Sequence, residues 1–256
     1  MSDRVEIYDV TGAPAIEIVN QAGDIAIRRS DEPRVKIVLR GNAEAVAATQ
    51  IDASPESISI RARHSSGRFF SKTVDVIVSA PPGGYLKVDL ATGQVRVRIP
   101  LKEAVVTTAS GDVRLDKTVG RASITVASGD VLVSDVTGEA EVSAASGDVR
   151  IAKAGDVVVN TASGGVRIDE AERTISIKSA SGDVNVKRFG GSDLDINTMS
   201  GNATIGLIPG MEVRAKIRTL SGDFRNRIKP MECERTDSMS LRVKSFSGDV
   251  TLKTAS

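Results

Sequence analysis

From residue 110 onward the pair Ser-Gly begins at residues 110, 128, 146, 163, 181, 200, 221 and 247, with gaps of 18, 18, 17, 18, 19, 21 and 26. A corner that returns at a nearly fixed interval belongs to a repeat architecture, in which one turn is reused from unit to unit. Glycine adds a finer beat. Gly84, Gly93, Gly111, Gly120, Gly129, Gly138 and Gly147 lie on a nine-residue grid, with Lys102 in the one missing place. After a single deletion the grid resumes at Gly155, Gly164, Arg173, Gly182 and Gly191. The eighteen-residue repeat is therefore two nine-residue units that alternate Ser-Gly-Asp corners with plainer glycine corners.

Within each unit the apolar residues stand second, fourth and seventh after the corner. They read Val131, Val133, Val136, then Ala140, Val142, Ala145, then Val149, Ile151, Ala154. Val157, Val159, Ala162 and Ile175, Ile177, Ala180 follow the same rule. Second and fourth positions share a face only in a strand, so the polar residues around them (Arg114, Thr125, Glu141, Arg150) face water. The three-residue step to the seventh place predicts a bend, where glycine supplies backbone angles closed to other residues. With aromatics at 3 % and no Trp, the interior must be Val, Ile, Leu and Ala. The expected fold is all-β: a single-stranded parallel β-helix, or β-solenoid, with about 18 residues per coil and the right-handed turn that parallel crossovers favour. An antiparallel meander with one strand per unit is the alternative.

Residues 1–83 keep strand patterning in "AIEIVNQAGDIAI", "RVKIVLR", "SISIRAR" and "TVDVIVSA". They predict irregular first coils of the same solenoid carrying longer loops, with a short helix in "GNAEAVAATQ". Residues 84–209 form the regular array, and residues 210–256 hold C-terminal coils around a polar loop at 225–240. The sequence finishes on its own grid at "VTLKTAS". Two outcomes stand there: self-association through this coil, or a cover made by residues 224–246 folding back over it.

The Ser-Gly-Asp-Val ladder, together with "PPGGYLKVDLATGQV" and the corners at Asp112, Asp130, Asp148, Asp183, Asp223 and Asp249, resembles a large bacterial family of "putative adhesins", a β-strand repeat domain of unknown function. The resemblance implies a parallel β-helix, linked in some members to envelope stress, with no agreed catalytic residue. This sequence departs from many members in showing no membrane-spanning run.

Several function classes fall away on composition. The 34 basic and 33 acidic residues leave a net charge of +1, so no global field draws nucleic acid. Cys233 is the only cysteine and His64 the only histidine, which leaves no disulfide framework, multi-cysteine zinc site or catalytic dyad. No phosphate loop, nucleophile elbow or His-Glu zinc motif occurs. The start "MSDRVEIYDV" has neither a basic n-region nor an apolar h-region, so a cytoplasmic location is expected. The reading is a non-enzyme with no catalytic residue, metal or cofactor.

Three groups of residues remain as candidates. The corners Ser110, Gly111, Asp112, Ser128, Gly129, Asp130, Ser146, Gly147, Asp148, Ser181, Gly182 and Asp183 are either a row of cation sites or structural turns. Calcium-binding nine-residue repeats need Gly-x-Asp in each unit, whereas here Asp follows Gly directly and in alternate units. Side chains that bond their own turn's N–H groups are therefore expected. Arg96, Arg98, Arg114, Arg150, Arg167 and Lys187 point outward, as an anion-binding or partner-binding stripe or as a solvated face that Asp116 and Asp169 partly neutralise. Arg68, Phe69 and Phe70 lie in "RARHSSGRFFSKT", a loop that either contacts a partner or membrane surface or covers the core.

The function expected is a non-enzymatic scaffold or protein-interaction module with a protein partner, capable of self-assembly. The alternative is an adhesin-like domain that holds an anionic polymer or envelope component. The sequence specifies no small molecule.

Overall fold

The computed structural model describes residues 2–62, 73–117, 120–210, 212–228 and 238–255. Arg68, Phe69, Phe70, His64 and Cys233 lie outside the described residues. The chain forms two compact units, residues 1–129 and 130–256. Almost all regular structure among the described residues is strand, with one short helix.

In the first unit the strands are β1 (Ser2–Asp9), β2 (Ala15–Ala22), β3 (Ile25–Arg29), β4 (Arg34–Gly41), β5 (Gln50–Ala53), β6 (Ser57–Ala62), β7 (Val74–Ala80), β8 (Tyr85–Thr92), β9 (Val95–Val97), β10 (Glu103–Ser110), β11 (Val113–Leu115) and β12 (Arg121–Ser128). Helix α1 (Ala43–Ala48) lies between β4 and β5. Coils are built from strand pairs that run parallel to the next pair. Val106 sits opposite Val88 on one side and Ile124 on the other, the eighteen-residue step of the repeat. An antiparallel meander does not give that register, and the unit is β-solenoid-like.

Sequence order and spatial order diverge here. The β2/β3 coil lies between β6/β7 and β8/β9. Nor are residues 1–83 all coils with longer loops, as the patterning suggested. β5 runs antiparallel to β6, β4 antiparallel to β7, and β1 antiparallel to β4. These strands and α1 lie over the β6/β7 coil, whose Ile60, Val76 and Val78 are completely buried. Strand alternation looks the same for parallel and antiparallel partners, which is why the sequence pattern could not separate them. The helix forms where expected. Asn42 caps it, its Oδ1 accepting from the Glu44 and Ala45 N–H groups at 3.0 and 3.3 Å.

The second unit contains β13 (Val131–Ser146), β14 (Val149–Ser163), β15 (Val166–Ser181), β16 (Val184–Phe189), β17 (Asp193–Ser200), β18 (Ala203–Leu207), β19 (Glu212–Ser221), β20 (Phe224–Arg227), β21 (Ser238–Ser247) and β22 (Val250–Thr254). The first three are long strands, β13 and β14 pairing in parallel with a register shift between Val136 and Glu139. Val131, Val133 and Val136 point inward, as do Val149, Ile151 and Ala154.

The rule of second, fourth and seventh places fails in the plain-corner half. Ala145, Ala162 and Ala180 are exposed, while Ala144, Thr161 and Ser179 at the sixth place are buried. There the strand keeps its period of two up to the next corner. The resulting inward row is partly polar. Thr108, Thr161 and Thr198 donate to the carbonyls of Ser110, Ser163 and Ser200 at 3.4, 3.3 and 3.2 Å, so these three hydroxyls are satisfied locally, whereas the buried Ser179 and Ser245 hydroxyls have no hydrogen-bond partner among the described residues.

The second unit also interleaves its coils. β21 pairs with β17 on one side and β19 on the other, and β22 likewise lies between β18 and β20. Leu252 is 2 % exposed. The expectation that "VTLKTAS" offers an open edge is therefore corrected: that strand is interior. Of residues 224–246, β21 is itself a coil within the stack, while residues 224–227 do pair along the outer side of β22. The outer position belongs to β19 and β20. Among the described residues these pair on one side only. Val213, Ile217 and Phe224 stack on Met239, Val243 and Val250, yet Phe224 is 47 % exposed.

Candidate functional site

The corners have a geometry that sequence reasoning did not reach. Gly111, Gly129, Gly147 and Gly182 adopt φ of 133°, 138°, 122° and 129°, a region that excludes most side chains. Corner aspartates reach beyond their own turn. Asp130 Oδ1 accepts from the Asp148 N–H at 2.9 Å, and Asp148 Oδ1 from the Gly165 N–H at 2.8 Å. Asp183 serves Asn202, Asn202 serves Asp249, and Asp249 serves Asp223, at 2.8, 2.9 and 2.8 Å. Each carboxylate or amide thus ties its coil to the next, and the row records the interleaved order 183, 202, 249, 223. Among the described residues no group of three potential metal ligands comes together.

Five of the six residues of the basic stripe face carboxylates, Arg96 being the exception among the described residues. Asp169 is gripped by Arg150, Arg167 and Lys187 at 3.1, 3.1 and 2.7 Å. Burial raises its pKa, but hydrogen bonds from Lys187, Arg167 and Arg150 outweigh that and bring it from 3.8 to about 2. In the first unit Asp116 faces Arg98 and Arg114 at 3.8 and 3.1 Å, with Arg96 exposed on the same face. A hollow of about 410 Å³ beside Glu17, Tyr85 and Lys87 likewise holds paired charges. Lys87 Nζ lies 3.0 Å from Glu17, and that bond lowers the glutamate's pKa and raises the lysine's.

The free charge lies elsewhere, on a face that interleaving creates. Outward residues alternate along β17, β21 and β19, and the register aligns them in rows. Asp195, Arg242 and Lys216 form one row, and Asn197, Lys244 and Arg218 the next. Arg242, Lys244, Lys216 and Arg218 are exposed. They line a depression of about 310 Å³ with Asp195 as its single carboxylate. Among the described residues none of the four is in an ion pair, whereas neighbouring Arg214 is held by Glu212 at 3.2 Å. The row beside the Ser-Gly corners is Met199, Phe246 and Leu220, which are 65 %, 62 % and 74 % exposed. The regular coils place Ala145, Ala162 and Ala180 there.

No residue of this face was picked out by sequence reasoning. The available signal was the alternation of bases with apolar residues in "EVRAKIRTL" and "LRVKS". The two segments read as separate strands, and only the insertion of β21 beside β19 makes them one surface.

Parallel strand pairs repeated at an eighteen-residue step, with a side-chain ladder along the corners, define a β-solenoid-like repeat protein whose described surface carries ion pairs and a basic patch without them. The chain belongs to the Toastrack DUF4097 family, whose model matches residues 9–156. None of the curated proteins matches it. A crystal structure of a "putative adhesin" from Parabacteroides distasonis is similar at 14 % identity and a TM-score of 0.53, covering 98 % of this chain and 97 % of that one. Another so named, from Bacteroides fragilis, covers 98 % and 97 % at 13 % identity and a TM-score of 0.49. The first likeness concerns the fold alone, and the second is too distant to carry a conclusion. Among the described residues no helix is long and apolar enough to cross a membrane.

Proposed function

We propose that the protein is a non-enzymatic interaction module that engages an anionic partner through the outward face of β17, β21 and β19. The observation that carries this reading is the set of four cations, Lys216, Arg218, Arg242 and Lys244, left without ion pairs among the described residues. Like charges crowded on adjacent strands repel one another, so the fold gains nothing from them and a ligand of opposite charge does. The scaffold beneath is read as a parallel β-helix, supported by the parallel eighteen-residue register, with the right hand that parallel crossovers favour. Adhesin names among its structural neighbours fit a binding role.

The test is binding to a soluble polyanion such as dextran sulfate at low and high salt. The quadruple variant with Lys216, Arg218, Arg242 and Lys244 replaced by Ala should lose binding. A control with Arg114, Arg150 and Arg167 replaced by Ala should retain it. Equal loss in both variants, or no binding at low ionic strength, contradicts the proposal.

A second reading, the self-assembling scaffold, is favoured by the one-sided pairing of β19 and β20. Against two-fold pairing of β19 with its own copy stand Arg214, Lys216 and Arg218 on one of its faces, which would meet like charges. Light scattering at rising protein concentration separates the readings: a monomer throughout excludes assembly.

A further inference from the structure

Building on that reading, we propose that the anionic partner is a phospholipid bilayer surface bearing anionic headgroups, on which the β17–β21–β19 face lies flat. A soluble polyanion needs only the cations. The bases do not stand alone, however: the row beside them is Met199, Phe246 and Leu220, contiguous across three strands and mostly exposed at 65 %, 62 % and 74 %. Adjacent strands lie about 4.8 Å apart, and alternate residues on one strand about 7 Å apart. Four cations and three large apolar side chains thus occupy three neighbouring rows of a single sheet face.

This division matches the two layers of a membrane interface. Lys and Arg are drawn to the negative headgroup region, and apolar side chains enter the boundary with the acyl chains. Long basic side chains reach headgroup phosphates while their stems lie along apolar surface. The face is held by strands, so it docks without an ordering step. The exchange of alanine, seen at Ala145, Ala162 and Ala180, for Met, Phe and Leu occurs on the same sheet face as the four cations without ion pairs. Fold stability requires neither change, since both sets point into solvent.

The experiment is co-sedimentation of the full chain with phosphatidylcholine vesicles and with vesicles containing about one-third phosphatidylglycerol, alongside dextran sulfate binding. Wild-type protein should bind the anionic vesicles and not the neutral ones. Each cation removed should weaken vesicle binding roughly fivefold, the usual effect of one base near an anionic surface. The triple variant Met199→Ser, Phe246→Ser, Leu220→Ser should lose about tenfold or more on vesicles, from lost apolar burial, and keep its dextran sulfate affinity. Circular dichroism verifies that the exposed substitutions leave the fold intact. Dextran sulfate binding without vesicle binding, or a triple variant that binds vesicles like wild type, overturns the bilayer inference and leaves the anionic-partner reading standing. Binding to neither overturns both.

Discussion

The outer coil of the first unit and that of the second are the same structure treated in opposite ways. In the first unit, β6 and β7 are covered: β4 and β5 pair with them in antiparallel fashion, α1 lies against β1, β4 and β6, and Ile58, Ile60, Val76 and Val78 are at most 1 % exposed. In the second unit, β19 and β20 stack Val213, Ile217 and Phe224 on the core beneath, and Phe224 remains 47 % exposed. An unpaired strand edge invites aggregation unless something blocks it. One unit blocks it with secondary structure, and the other lines it with Arg214, Lys216 and Arg218. Charge leaves the edge accessible where strands and a helix would bury it, and the free basic face lies along that accessible edge.

The largest predicted effect separates interior from outer coil. Leu252→Asp buries a carboxylate between β18 and β20 and should lower stability by more than about 4 kcal/mol. Ile217→Asp, on the outer coil, should lower it by less than about 1 kcal/mol, because the new charge reaches water. Urea denaturation of both variants measures the gap, and equal losses would abolish the distinction.

Glycine tests the same contrast at the corner. Gly129 and Gly222 have φ of 138° and 140°, and a Cβ on either would lie 2.3 or 2.2 Å from a backbone oxygen of the adjoining coil. Gly129→Val should lower stability by about 3 kcal/mol or more. Gly222→Val carries the same local strain but sits where the coil can relax by fraying, so a loss of about 1 kcal/mol is expected. In the covered unit, Asn42→Ala removes the helix cap and should cost about 1 kcal/mol, read as a lower urea midpoint.

Acid should act through Asp169. Its pKa is depressed from 3.8 to about 2, so its contribution is fully present above pH 4 and is lost as pH falls towards 2. With its partners half in solvent, the contribution is about 1 kcal/mol. Asp169→Asn should flatten the stability profile between pH 4 and 2, and an unchanged profile would show that the three cations do not act on it. The smallest effect belongs to Lys216→Ala: no loss, or a gain of a few tenths of a kcal/mol at low salt, from relief of like-charge repulsion. A loss of about 1 kcal/mol there would mean that the basic face supports the fold after all.

Much of the fold was legible because its cause is local. Val131, Val133 and Val136 declare an inward face, and Gly129 declares a corner, from a few neighbouring residues. The order of the coils is not local. β21 carries the same alternation as β17 and β19, and nothing within "SLRVKSFSGDV" states that it inserts between them; the lengthened gaps of 21 and 26 were the only hint of a changed path. The free basic face depends on that insertion, since Arg242 and Lys244 meet Lys216 and Arg218 only across the β21–β19 pair. The partial polarity of the sixth-place row escaped notice for a related reason: Thr161 and Ser179 look like outward residues until their hydroxyl and strand phase are known.

Amide hydrogen exchange of the native protein, resolved by segment, tests the interleaved order most directly. Backbone amides of β21 and β22 should be protected as strongly as those of β14 and β15, with β19 and β20 exchanging faster by orders of magnitude as the coil that opens first. Faster exchange in 238–254 than in 212–227 would place the last strands of the sequence on the outside and contradict the account.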